Sequence, residues 1–238
     1  MFAQTTDFSG LSGEDPGQSL TVKAYSRLRA HIISGRLSPG QRLKVEQLRD
    51  LISVGATPIR EALSLLTSDG LVARLDKRGF RVSDVSLEEY DDIHQTRCWL
   101  EERALRESIA HGDQDWEDRL VLVHHRLRRQ QRMITDEEGT RSNPGWEHMH
   151  RLFHMQLLSG TTSRTLVQFC GQLHDRFDRY RNVAAVSAHA PRDWKAEHDA
   201  IAEAALERNA DLAVSRLIQH YSRTTEILRA TLAELRDR

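Results

Sequence analysis

The chain has only two cysteines in 238 residues, Cys98 and Cys170, far apart in sequence. This excludes a disulfide-stapled fold and any metal centre built on cysteine pairs, and both read as packed thiols. Five prolines and 13 glycines are too few for a fibrous or low-complexity chain. No apolar run approaches the roughly 20 residues that a membrane-spanning helix needs. The first 19 residues lack the basic start and apolar core of a secretory signal. Their Gly, Ser, Asp and Thr read as a loose tail, so the expected location is the cytoplasm, with no membrane partner.

Charge is what the chain has in quantity. It is 29% charged and 39% hydrophobic, with a mean hydropathy of -0.58, the balance of a helix-rich globular protein. Its length suits two domains with separate cores. The net charge of -1 hides an asymmetry: residues 20–85 hold twelve Lys and Arg against six Asp and Glu, while residues 86–238 hold 22 against 26. The first domain is thus the one expected to meet a polyanion.

Within residues 20–85, Val22, Tyr25, Leu28, Ile32 and Ile33 recur at helical spacing, and Gly35, Pro39 and Gly40 then break the helix. A short second helix is expected near Val45 to Ile52. In SVGATPIREALSLLTSDGLV, Gly55 supplies a tight turn, Thr57 a cap and Pro58 a first helical position. Ile59, Ala62, Leu63 and Leu66 form the packing face of that helix, leaving Thr57, Arg60, Ser64 and Thr67 opposite. LVARL and FRV follow as two strands around Asp76, Lys77, Arg78 and Gly79. This pattern describes a winged helix-turn-helix whose second helix enters the major groove. Thr57, Arg60 and Ser64 are the expected contacts there, Arg60 being able to bond guanine bidentately. Lys77, Arg78 and Gly79 are expected at phosphate or in the minor groove. Glu61 is assigned a structural role, orienting a neighbouring Arg.

The segments PGQRL (39–43), TPIREAL (57–63), DGLV (69–72) and RGFRV (78–82), in this order, resemble the GntR family of bacterial transcription regulators. The resemblance implies a homodimer on a double-stranded, pseudo-palindromic operator. Gly55 and Ala56 stand where the family usually has Ser and a DNA-contacting Arg, which leaves the operator sequence open.

Ser86 is a good N-cap with acidic residues behind it, so a domain boundary falls near residue 85. The rest reads as an all-α bundle over residues 86–238, with helices at about 86–111, 114–136, 145–159, 162–184, 191–207 and 210–236 and no strand. His150 and His154 lie one turn apart on one face, while His148 points elsewhere. A helical hairpin folded at the turn ERNAD brings His198 and His220 to one height on apolar faces, where neutral imidazoles are satisfied by a metal. On the fourth helix His174, Asp178 and Arg181 share a face. The run HHRLRRQQR (124–132) reads as a solvated helix face.

These residues resemble the FCD effector domain of the FadR-type subgroup. There a D-x-x-F-H pattern and two later histidines hold a metal inside the bundle; the matching residues here are His150, Phe153-His154, Glu197-His198 with Ile201, and His220. Six helices correspond to the branch resembling the vanillate regulator. His150 replaces the family's Asp. Either it completes an all-nitrogen set favouring a divalent metal such as zinc, or nickel, over Mg or Ca, or it leaves three histidines and open positions. A small organic anion, a carboxylate, is the implied effector. Arg97 sits where the family's pocket Arg often stands, and is equally readable as a partner of Glu101; Tyr180 or Arg181 would complete a carboxylate clamp. No H-E-x-x-H or comparable general base adjoins the pair, so a regulator is favoured over a hydrolase-type metalloenzyme or a direct metal sensor.

Overall fold

The structure is a computed structural model that describes residues 19–76, 79–136, 139–185 and 192–236. Two compact units emerge. One runs to Ile32 and resumes over Ser38–Ser83; the other holds Ile33–Leu37 and the chain from Asp84 onwards.

The first unit contains α1 (Leu20–Ile33), β1 (Arg42–Leu43), α2 (Val45–Ile52), α3 (Ala56–Ser68), β2 (Val72–Leu75) and β3 (Gly79–Val82). Ala24, Leu28 and Ile32 of α1, Leu48 and Ile52 of α2, and Ile59, Ala62, Leu63 and Leu66 of α3 are its buried core. The α2–α3 turn passes through Ser53 at φ 51 and ψ 47, the left-handed region. The N-cap of α3 is Gly55, and its terminus carries no side-chain cap. Thr57 therefore lies inside the first turn instead of capping it. Pro58 follows it there, still where a missing N–H is harmless. The sheet gains a strand that the sequence pattern did not reveal. Its order is β1-β3-β2, all antiparallel, with Arg42 opposite Arg81 and Val72 opposite Val82.

The second unit has six helices among the described residues: α4 (Leu87–His111), α5 (Gln114–Arg128), α6 (Pro144–Leu158), α7 (Arg164–Ala185), α8 (Trp194–Leu206) and α9 (Ala210–Arg236). Side-chain caps start all six, Ser163 accepting from Leu166 before α7 and Asn209 from Leu212 before α9. Ser86 accepts from the Glu89 N–H, Asp113 from Trp116, Asn143 from Gly145 and Asp193 from Ala196. The expectation of no strand is overturned by an antiparallel pair, β4 (Met133–Asp136) and β5 (Gly139–Ser142). The helix expected to run to 136 stops at Arg128, because Ile134, Thr135 and Thr140 are β-branched and favour an extended chain. Helix α4 packs against α6, α7 and α9, while α5 packs against α6 and α8 and α8 against α9. Helix α6, capped by Asn143, is thereby enclosed, and its buried face carries His150 and His154.

Leu63 is fully buried on α3. Leu63→Ala should destabilise the first unit by about 2–5 kcal/mol, read from urea unfolding. A change below about 1 kcal/mol would show that this face does not carry the unit's packing.

Candidate functional site

In the first unit, α3 presents Thr57, Arg60 and Ser64 on its exposed side, opposite the buried Ile59, Ala62, Leu63 and Leu66. Ser64 Oγ donates to the Arg60 carbonyl at 3.1 Å, which turns the hydroxyl back on its own helix. Glu61 accepts from Thr21 Oγ1 at 2.6 Å, so it ties α3 to α1 instead of orienting an Arg. Gly79, at φ +92, opens β3 in a conformation that L side chains rarely adopt. Lys77 and Arg78 lie outside the described residues.

In the second unit the four histidines singled out by spacing converge. His150, His154, His198 and His220 are each at most 3% exposed, and one ring nitrogen of each lies within 4.8 Å of the others'. His148, on the same helix, is exposed. Burial is the largest influence on all four rings and pushes each below the ordinary imidazole range, His220 to about 4. The cluster is therefore neutral at physiological pH.

Three of the four rings are oriented from outside. His198 Nδ1–H donates to the Trp194 carbonyl at 2.7 Å, and His220 Nδ1–H donates to Glu197 at 2.7 Å. His154 Nδ1–H donates to the Tyr221 hydroxyl at 3.0 Å, and that hydroxyl donates to Glu101 at 2.5 Å. Each bond places the proton on Nδ1 and leaves Nε2 bare, the arrangement of metal-bound histidines. His198 Nε2 is buried without a partner. His154 Nε2 and His150 Nε2 face one another at 3.1 Å, close to the edge of about 3.3 Å that zinc–nitrogen bonds of roughly 2.0–2.1 Å give a tetrahedron. This donor set could hold a metal ion. His150 differs from the others in having no partner on Nδ1.

Around the cluster runs a buried polar network. Arg97 Nε donates to Glu101 at 2.6 Å, the i,i+4 pair the sequence allowed, but both side chains are buried. Its Nη2 donates to His174 Nδ1 at 2.8 Å, and its guanidinium lies 3.9 Å from the Tyr221 ring centre. Arg181 Nε donates to Asp178 at 3.2 Å, and His174 Nε2 lies 3.2 Å from the same carboxylate without the alignment of a hydrogen bond. Burial raises the Asp178 carboxyl, but Arg181 and His174 more than offset it, leaving it far below the ordinary range. Arg181 also pairs with Glu147 and lies over Trp146, on whose ring His150 stacks at 4.5 Å. Tyr180 is not brought to this cluster. One residue before Arg181, it points to another side of α7, where its hydroxyl donates to Glu89 at 2.5 Å and accepts from the Ser86 N–H.

Several members of the site were not singled out from the sequence. Burial raises the Glu197 carboxyl, but hydrogen bonds from His220 and Arg192 bring it below the ordinary range. In the sequence Glu197 figures only as part of the matched Glu197-His198 pair, and Tyr221, which adjoins His220, not at all; that adjacency is the one signal that could have flagged it. Arg132, the last residue of the basic run taken as solvated, lies 4.1 Å from the Trp194 ring centre, and burial with Arg181 nearby draws it down to about 10. Arg192 stacks on the same ring at 3.5 Å.

Residues 20–82 match the family of bacterial regulatory proteins of gntR type, and residues 92–223 match the FCD domain. The HTH-type transcriptional regulator BphR of Paraburkholderia xenovorans is 36% identical over 89% of this chain and 86% of its own length. The HTH-type transcriptional repressor GlaR of Escherichia coli is 27% identical over 90% of this chain and 97% of its own. The solved structure of E. coli McbR/YncC shares the fold at a TM-score of 0.75 and 20% identity, over 90% of this chain and 99% of that one.

Stripped of divalent ions, the protein should lose stability as pH falls from about 6.5 towards 4. Unfolded imidazoles titrate near the upper value, whereas burial keeps His220 neutral to about 4 and holds its three neighbours well below the ordinary imidazole range. Between those limits only the unfolded chain takes up protons, so acid favours unfolding. The urea midpoint followed down this range should fall steadily; a flat profile would contradict the buried neutral rings.

Proposed function

The chain belongs to the GntR family of bacterial regulatory proteins and carries an FCD domain, which makes it a ligand-responsive DNA-binding transcription regulator and not an enzyme; from that premise we propose that residues 86–238 bind a divalent metal through His150, His154, His198 and His220 and a small organic carboxylate beside it. The observation that carries this reading is the set of inward Nε2 atoms. Three belong to rings whose Nδ1 protons are held from outside, and His198 Nε2 is buried with no partner of its own. Four neutral nitrogens suit zinc, or nickel, better than an oxygen-seeking cation. Bound there, the ion supplies a Lewis-acidic positive charge that four neutral ligands do not offset.

Arg97 and Arg181 add cationic character to the same interior, but each already faces a carboxylate. An effector therefore gains most from what the metal and the unpaired donors offer. Residues 20–85 bind the operator, with α3 in the major groove. Thr57, Arg60 and Ser64 stand on its exposed side, and Lys77, Arg78 and Gly79 contact phosphate or the minor groove. Two copies read two half-sites as a homodimer in the cytoplasm, and effector binding shifts the helices of the second domain so that the two winged units fit DNA differently.

Two outcomes check this reading. His154→Ala combined with His198→Ala should abolish stoichiometric metal in the purified protein, measured by plasma emission spectrometry; full metal retention would remove the site. Arg60→Ala should weaken specific DNA binding by about 1–3 kcal/mol in a salt-controlled gel shift, and an unchanged affinity would count against α3 as the reading helix.

A further inference from the structure

We propose that the effector's carboxylate oxygen is received by two imidazole N–H groups, His150 Nδ1–H and His174 Nε2–H, and that Arg97 sets the second of these without touching the effector. This rests on the reading that an organic anion binds beside a histidine-held metal.

The protons can be assigned from their neighbours. A guanidinium only donates, so His174 Nδ1, 2.8 Å from Arg97 Nη2, must accept. The ring's hydrogen is then on Nε2, which is buried and makes no hydrogen bond. Asp178 Oδ2 lies 3.2 Å from that nitrogen but off the line of its N–H. His150 reaches the same condition from the other side. Its Nε2 faces His154 Nε2 at 3.1 Å, and a ring that gives this nitrogen to a metal carries its hydrogen on Nδ1. His150 Nδ1 is also buried and unmatched.

Two N–H donors without acceptors thus border the metal set on adjoining rings, whose centres are 5.9 Å apart. Ligand-capable atoms of His150, His174 and Asp178 lie within 4.8 Å of one another, so a cation could be imagined there. The proton positions argue against it: with His174 Nδ1 taken by Arg97 and the hydrogen on Nε2, that ring has no lone pair left for a cation. An oxygen acceptor removes the cost of burying two unmatched donors, which a second cation would not do. The site then distinguishes carboxylates from neutral analogues of the same shape, because only an acceptor-rich group answers two donors and a positive ion together. His150, which replaces the family's Asp, gains a role that a carboxylate could not perform, since an ionised Asp has no proton to give.

The test uses the zinc-loaded full-length protein with 15N-labelled histidine, and acetate and malonate as probes. Calorimetry measures binding, and proton–nitrogen correlation spectra follow the imidazole N–H groups. On binding, the His150 Nδ1–H and His174 Nε2–H signals should move downfield. His174→Gln, which keeps a donor, should bind within a few-fold of the parent, and His174→Leu should bind at least about tenfold more weakly, the scale of one buried hydrogen bond, with zinc content unchanged. In Arg97→Met the His174 nitrogens should shift towards a mixture of tautomers. Probe binding that leaves both signals in place, or undiminished binding by His174→Leu, overturns the proposal while the carboxylate reading stands. A His174 that stays Nε2-protonated in Arg97→Met overturns the role given to Arg97. If neither probe binds zinc-loaded protein, the carboxylate reading itself fails and this one with it. Should His174→Leu not fold, the parent spectra alone decide.

Discussion

The second domain depends on keeping four buried imidazoles neutral and facing inward. Burial takes care of the charge, since a protonated ring would be unsolvated and would repel its neighbours. Orientation is set by groups from three helices: the Trp194 carbonyl and Glu197 on α8, Tyr221 on α9, and behind Tyr221 the carboxylate of Glu101 on α4. Helices α4, α8 and α9 must therefore keep their register with α6 to within the tolerance of a hydrogen bond. Shape and proton inventory are the same constraint here.

Charged side chains do much of the work that an apolar core would do elsewhere. Arg97, Glu101, Asp178 and Arg181 are all nearly inaccessible to solvent, yet each has an opposite charge within hydrogen-bonding reach. Such pairs contribute little net stability compared with well-packed apolar residues, but breaking one leaves an uncompensated charge in the interior. The network is best understood as selecting one arrangement of α4, α6 and α7 over near alternatives. That selectivity is what an effector-driven change of helix position would exploit.

The sequence made much of this legible because helical periodicity is a strong signal. The six helices of the second unit lie close to where hydrophobic spacing and caps put them, and the helical hairpin at ERNAD brings His198 and His220 together as its symmetry required. Short elements were harder. β1 is two residues long, with no periodicity to detect. β4 and β5 were hidden because the basic run before them extends a helical pattern past its end. Among site residues, histidines stood out by chemistry. Arg132 looked like one more solvated cation until the fold laid it against Trp194. Tyr180 shows the converse: adjacency to Arg181 in sequence is a 100° rotation on a helix, enough to send the two side chains to different neighbours.

The near-complete enclosure of the four rings also has a kinetic meaning. With all four rings at most 3% exposed, an ion held between them would exchange through a local opening of the bundle and not by free diffusion through solvent. Occupancy would then lag behind changes in the surrounding metal supply. A centre with such a memory is poorly suited to report on metal concentration from moment to moment. It is well suited to serve as a fixed anchor against which a faster, lighter visitor is weighed.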